Sequence, residues 1–99
     1  MIEIVNFRTK NMCMPYDVRV DRCSVLGNPF HMYHESQRSI VCSKYKFWFR
    51  ARSTSVDREL DRLKRTYEHY GKLRLFCWCA PQQCHAETIK KWIEGELDV

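Results

Sequence analysis

The sequence predicts one α+β or α/β domain, a single small mixed sheet of about three strands covered by about three helices, in the order β-β-α-α-β-α. Three observations carry this reading. Ninety-nine residues with 44% hydrophobic content suffice for one core and leave no room for a second. Apolar residues recur with a period near two early in the chain and near 3.6 through its middle. The run LRLFCWCA after Lys72 is almost wholly apolar, as expected of a strand buried on both faces, and such a strand needs helices to cover it.

The elements follow in order. IEIVNF, Ile2 to Phe7, is short and rich in β-branched residues and reads as a strand. KNMCMP reads as a turn, because Pro15 has no N–H to give a sheet ladder. In YDVRVDR, Tyr16, Val18 and Val20 alternate with Asp17, Arg19 and Asp21, the pattern of a half-buried second strand, and the spacing permits a hairpin with the first. SVLGNPFHMYHES reads as a loop with a tight corner at Gly27, Asn28 and Pro29. From about Ser36, Val41, Tyr45, Trp48, Phe49 and Arg52 follow helical spacing, with Ser36 or Ser39 as the cap. Thr54 and Asp57 match a capping box for a second helix, whose apolar stripe is Val56, Leu60, Leu63, Tyr67 and Tyr70. Its outer face sets Asp61 within reach of Lys64 and Arg65, and Gly71 suits its C-terminal cap. KLRLFCWCA, Lys72 to Ala80, is the expected central strand. After the turn APQQ, a last helix presents Ile89, Trp92, Ile93 and Leu97, with Cys84 near its start and Glu87 where a capping acid belongs.

No apolar run approaches the roughly 18 residues of a membrane helix, and MIEIVNFRTK lacks the layout of a signal peptide, so a soluble, intracellular protein without a membrane partner is expected. The net charge of +5 is central: residues 38–74 carry eleven basic and four acidic side chains, while residues 75–99 carry two and four. A basic stretch interleaved with aromatics, such as KYKFWFRAR, suits nucleic acid, and the candidate residues are Lys44, Lys46, Arg50, Arg52, Arg58, Arg62 and Arg65. The structural alternative is a pair of helices with buried rings and solvated charges. A charged fraction of 29% with few Gly leans toward a hot habitat, while four Met and six Cys point the other way.

The segment CWCAPQQCH, Cys77 to His85, sets three thiols and an imidazole within nine residues. Cys77 and Cys79 share one face of the predicted strand, and Cys84 and His85 open the next helix, so all four can meet at one edge. Three readings stand side by side. A zinc site would use Cys77, Cys79, Cys84 and His85, although adjacent Cys84 and His85 strain to bind one ion; no other cofactor is expected. A ligand or reaction site would use the unpaired N–H groups and dipole of the helix N-terminus, which would also lower the pKa of Cys84. In an enzyme, Cys84 would be the nucleophile and His85 the acid or base. The structural reading is cysteines packed in a core or joined as disulfides, with Cys13, Cys23 and Cys42 as further partners. The sequence shows no serine-hydrolase elbow, phosphate-binding Gly loop or metalloprotease helix, so no reaction can be named.

LGNPF at Leu26 to Phe30, two helical stretches, and LRLFCWCAPQQCH with its closing helix resemble the domain of unknown function family 4326, over roughly Tyr16 to Glu94. In that family Gly typically follows Cys-His, where this chain has Ala86. The resemblance implies an α/β protein of a viral, phage or bacterial kind, acting in the host cytoplasm, with GNPF and CWCAP-x-x-CH as its marked positions. If the second and third strands run parallel, these two elements share a surface. Gly27 and Asn28 then face Cys77, Cys84 and His85 across a cleft suited to a nucleotide or another phosphate-bearing ligand. Nucleic acid and a host protein are the other candidate partners.

Overall fold

A computed structural model describes residues 1–79, 82 and 84–95. It contains β1 (Ile2–Asn6), β2 (Asp17–Arg19), a single 3-10 turn (Glu35–Gln37), α1 (Arg38–Ala51), α2 (Thr54–Tyr70), β3 (Leu73–Cys77) and α3 (Ala86–Ile93). The small sheet covered by helices is the expected one, and the element order agrees with the sequence.

The strand order is β1-β3-β2, and both ladders are parallel, so the sheet is not mixed in direction. The hairpin that the spacing of the first two strands permits does not form. All five residues of β3 are buried, and a strand with two buried faces is stable only between two neighbours. It inserts between β1 and β2, and residues 7–16 carry the chain from one edge to the other. Beyond the regular ladder, Arg74 N–H donates to the Tyr16 carbonyl and Val20 N–H to the Phe76 carbonyl, so the contact of β2 spans much of the predicted Tyr16–Arg22.

The two faces of the sheet differ. Ile2, Val18, Val20, Leu73, Leu75 and Cys77 join Tyr45 and Phe49 of α1, Val56, Leu60 and Leu63 of α2, and Ile89 and Ile93 of α3 in one apolar core. The opposite face holds Phe76, fully buried, and Arg74, whose guanidinium forms a two-pronged pair with Asp17 (2.5 and 2.8 Å). Phe7 packs there against Phe76 and Trp78, with ring centroids 5.3 and 4.9 Å away.

Helix ends follow local chemistry with some shifts. Neither Ser36 nor Ser39 caps α1: the 3-10 turn precedes it, and Gln37 Oε1 accepts from the N–H groups of Tyr33 and His34. Ser53, not Thr54, caps α2, through its hydroxyl and the Val56 N–H. Gly71 ends α2 in the left-handed conformation, φ 66°, where glycine avoids the Cβ penalty. Asp61 pairs with Arg65 at 3.3 Å. Within α3, Ile89 and Ile93 are buried and Trp92 partly so; Leu97, the last residue of the predicted stripe, and Ala80, Pro81 and Gln83 of the APQQ turn lie outside the described residues. Among the described residues no helix is long and apolar enough to cross a membrane.

Candidate functional site

Because the three strands are parallel, the chain leaves β2 and β3 at the same edge of the sheet, the edge where open α/β sheets bind ligands. The first exit leads to LGNPF and the second to CWCAPQQCH, so the two marked segments meet as expected. Arg22, Asn28, Met32, Arg38, Val41, Cys42, Cys79, Cys84 and His85 line one cavity of about 60 Å³.

The loop side is built on carbonyls. Arg22 donates to the Asn28 carbonyl (2.6 Å) and the Phe30 carbonyl (2.7 Å), wrapping the loop around its guanidinium. Asn28 is 6% exposed, and its Oδ1 accepts from the Phe30 N–H at 2.9 Å. Gly27 does not line the cavity. It passes so close to the preceding turn that a Cβ would lie 2.3 Å from the Asp21 carbonyl oxygen and 2.6 Å from Arg22 Cα. Its role is close backbone packing, not ligand contact.

The corner side is tied to that loop through α1. His85 Nε2 is bonded to the Val20 carbonyl, which assigns the proton to Nε2 and leaves Nδ1 as an acceptor, 3.7 Å from Cys84 Sγ. The His85 ring packs on Tyr45, centroids 5.0 Å apart, and the Tyr45 hydroxyl donates to the Leu26 carbonyl at 2.7 Å. Tyr45 thus braces both walls, and burial holds its hydroxyl protonated. Replacing Tyr45 by Phe removes only that donor and strands a buried carbonyl, so we expect a loss of about 1–3 kcal/mol, read as a thermal midpoint several degrees lower. An unchanged midpoint would show that the hydroxyl does not hold the loop.

The thiols divide sharply. None of the six cysteines is joined in a disulfide among the described residues. Hydrogen bonds with Cys77 and Cys79, and then burial, raise the Cys84 pKa, which overrides the lowering expected from the helix N-terminus. The Cys84 N–H is also taken, donating to the Glu87 carboxylate at 2.8 Å. That contact is the predicted capping acid in place, and it leaves less of the helix end for an anion. Cys79 moves the other way. Its thiol lies below the ordinary range because Cys84 donates to its sulfur; burial opposes this, and the Arg38 guanidinium adds to it. The thiolate candidate is therefore Cys79 and not Cys84. Burial depresses the His85 pKa, keeping the ring neutral.

Cys77 is fully buried and meets Cys84 from the core side, so it does not line the cavity. The zinc set does not assemble either, since His85 Nε2 is committed to a carbonyl and, among the described residues, no group of three His, Cys, Asp or Glu is placed to hold a metal. Ala86, where a glycine was expected from the family pattern, is buried as the first residue of α3.

The model of the family described as a domain of unknown function, DUF4326, matches residues 5–95. The chain belongs to this family. No curated protein and no solved structure matches it. In this DUF4326 chain, the basic residues offered for nucleic acid are partly committed elsewhere. Arg62 pairs with Glu59 and Arg65 with Asp61, while Arg52 lies 3.5 Å from Asp57 and stacks on Trp92 at 4.7 Å. Lys44 lies over the Phe30 ring at 5.9 Å, Arg50 and Arg58 are exposed, and Lys46 lines a second, smaller cavity with Cys42, Cys84, Glu87, Thr88 and Lys91.

Sequence reasoning missed Arg22, Arg38 and Tyr45 as site residues. No motif marks the two arginines, which stand sixteen positions apart on different segments. Tyr45 is visible only as part of an apolar stripe, and its hydroxyl gives no periodic signal.

Proposed function

We propose that this cavity binds a phosphate-type anion, free or as the terminal group of a nucleotide. The observation that carries the reading is the convergence of Arg22 and Arg38, from separate segments, on one cavity with Asn28. Among the described residues no carboxylate pairs with Arg22, which donates instead to the neutral carbonyls of Asn28 and Phe30. Arg38 is paired with Glu35 but reaches the cavity with only 15% of its side chain exposed. Guanidinium groups in a partly dry site favour phosphate geometry. The adjoining cavity adds Lys46 and Lys91 and suits a second anionic group.

Size limits the ligand. A cavity of about 60 Å³ is well below the roughly 300–1,000 Å³ of a site that encloses a drug-sized molecule. A phosphate enters, and a nucleoside attached to it stays largely outside.

The test is thermal unfolding with millimolar phosphate, pyrophosphate, and nucleoside mono- and diphosphates. A ligand at a hundred times its Kd stabilises by about 2.7 kcal/mol, which is on the order of ten degrees for a domain of this size. Arg38→Gln should weaken the effective anion about tenfold or more, with its own midpoint in the absence of ligand as the control. If none of these anions raises the midpoint, the reading fails. Salt-sensitive binding of a single-stranded oligonucleotide in their place would favour the basic helices instead.

A further inference from the structure

Cys79 and Cys84 both line the cavity, with Cys77 in the core behind the strand's end, and their environments differ. Cys77 and Cys84 are buried, whereas Cys79 is partly exposed and borders the cavity with Arg38 beside it. Cys79 and Cys84 line the same small cavity, and His85 Nδ1 stands 3.7 Å from Cys84 Sγ. The cavity thus has an accessible sulfur with a cation on the same lining, a protected sulfur that also lines it, and a neutral base 3.7 Å from the second sulfur. Oxidation-sensitive cysteines have this layout, an exposed thiolate-forming sulfur with a resolving partner.

We propose that Cys79 is an oxidation site for a small peroxide and that Cys84 resolves it to an intramolecular disulfide. In the first step the Cys79 thiolate attacks one peroxide oxygen. An S–O bond forms, the O–O bond breaks, and the departing oxygen takes a proton from water and leaves as water or alcohol. Cys79 is oxidised by two electrons to a sulfenic acid, and the peroxide is reduced by two. In the second step the Cys84 sulfur attacks Cys79. An S–S bond forms, the S–O bond breaks, and the hydroxide leaves as water with the proton that Cys84 passes to His85 Nδ1. A dithiol reductant reverses the bond. The proposal is independent of the anion reading, because hydrogen peroxide is uncharged and fits a cavity of about 60 Å³.

Placement selects Cys79 over the other cysteines. Cys13 and Cys23 are exposed. Cys13 borders the Arg74–Asp17 pair, with Arg74 Nη2 4.0 Å from its sulfur, and neither Cys13 nor Cys23 lines the cavity. Cys42 is buried, and burial raises its pKa.

The experiment exposes the reduced full chain, carrying Cys13→Ser and Cys23→Ser, to stoichiometric hydrogen peroxide, followed by intact-mass measurement and peptide mapping. The expected product has lost two hydrogens, maps to a Cys79–Cys84 link and returns to the starting mass with dithiothreitol. Cys84→Ser should instead gain one oxygen at Cys79, captured by dimedone. Cys79→Ser should give neither product, and Arg38→Gln should slow oxidation several-fold. Modification elsewhere with Cys79 untouched overturns the proposal, as does a Cys79 that gains two oxygens while Cys84 stays reduced. If Cys84→Ser does not fold, the mapped link in the chain that retains Cys84 decides the matter.

Discussion

Gly27→Ala should destabilise the protein by about 3 kcal/mol or more, the upper part of the range for overpacking, and lower its thermal midpoint by more than about ten degrees. The reason lies in which atoms stand in the way. A Cβ there would sit 2.3 Å from the Asp21 carbonyl oxygen, 2.6 Å from Arg22 Cα and 2.9 Å from the Asp21 carbonyl carbon, all backbone. None can swing aside as a side chain does. The Asp21 carbonyl already accepts from the Ser24 N–H (2.9 Å) and hydroxyl (2.8 Å), and the Asp21 carboxylate is held by Arg19 and the Trp78 indole N–H. Yielding would therefore disturb the corner from Arg19 to Phe30, including Leu26, which is fully buried and bonded to Tyr45. Circular-dichroism melts check the midpoint. A variant that melts with the parent would show that the loop has room the structure does not show.

Asp17→Ala should cost about 3 kcal/mol, because removing one member of a buried pair leaves the other charge unmatched. The Asp17 side chain is 1% exposed and that of Arg74 11%. Asp17 also accepts from the N–H groups of Cys13 and Met14, each at 2.9 Å, so the same substitution releases the segment that links β1 to β2. These contacts give the pair a pH signature. The Arg74 guanidinium hydrogen bond, opposed by burial and aided by the two N–H donors, lowers the Asp17 pKa from 3.8 to about 2. A carboxylate whose pKa is lower in the folded state stabilises the fold fully above its unfolded value. That stability, about 2 kcal/mol at neutral pH, is lost as pH falls from about 4 toward 2. Urea titrations at neutral pH and at pH about 2.5 should show the parent losing more stability than Asp17→Ala over that interval. Equal losses would mean that the pair does not govern acid unfolding.

Much of the architecture was legible because it rests on local signals. The steps of four and three from Val56 to Tyr67 specify α2 whatever surrounds it, and Gly71 ends that helix for a reason contained in one residue. The run LRLFC declares a strand buried on both faces. That same run explains why the hairpin did not form: a strand needing two partners outcompetes a turn that merely permits pairing, and no signal near Pro15 reports what arrives from residue 73. The caps shifted for a similar reason. Several polar residues stand near each helix start, and only the path of the incoming chain selects Ser53 over Thr54 or Gln37 over Ser36.

For the site, the sequence by itself determined that LGNPF and CWCAPQQCH are special and that parallel strands would bring Asn28, Cys84 and His85 together. Only the tertiary structure decided which atoms face the cavity and in what state. It brought Arg22 and Arg38 to the cavity, packed Gly27 against the backbone of the preceding turn, turned Cys77 into the core, and set a partly exposed Cys79 on the cavity with the buried Cys84. A thiol's acidity depends on charges, donors and solvent within a few ångströms, summed over every segment that arrives there. Adjacency along the chain specifies only one of those segments.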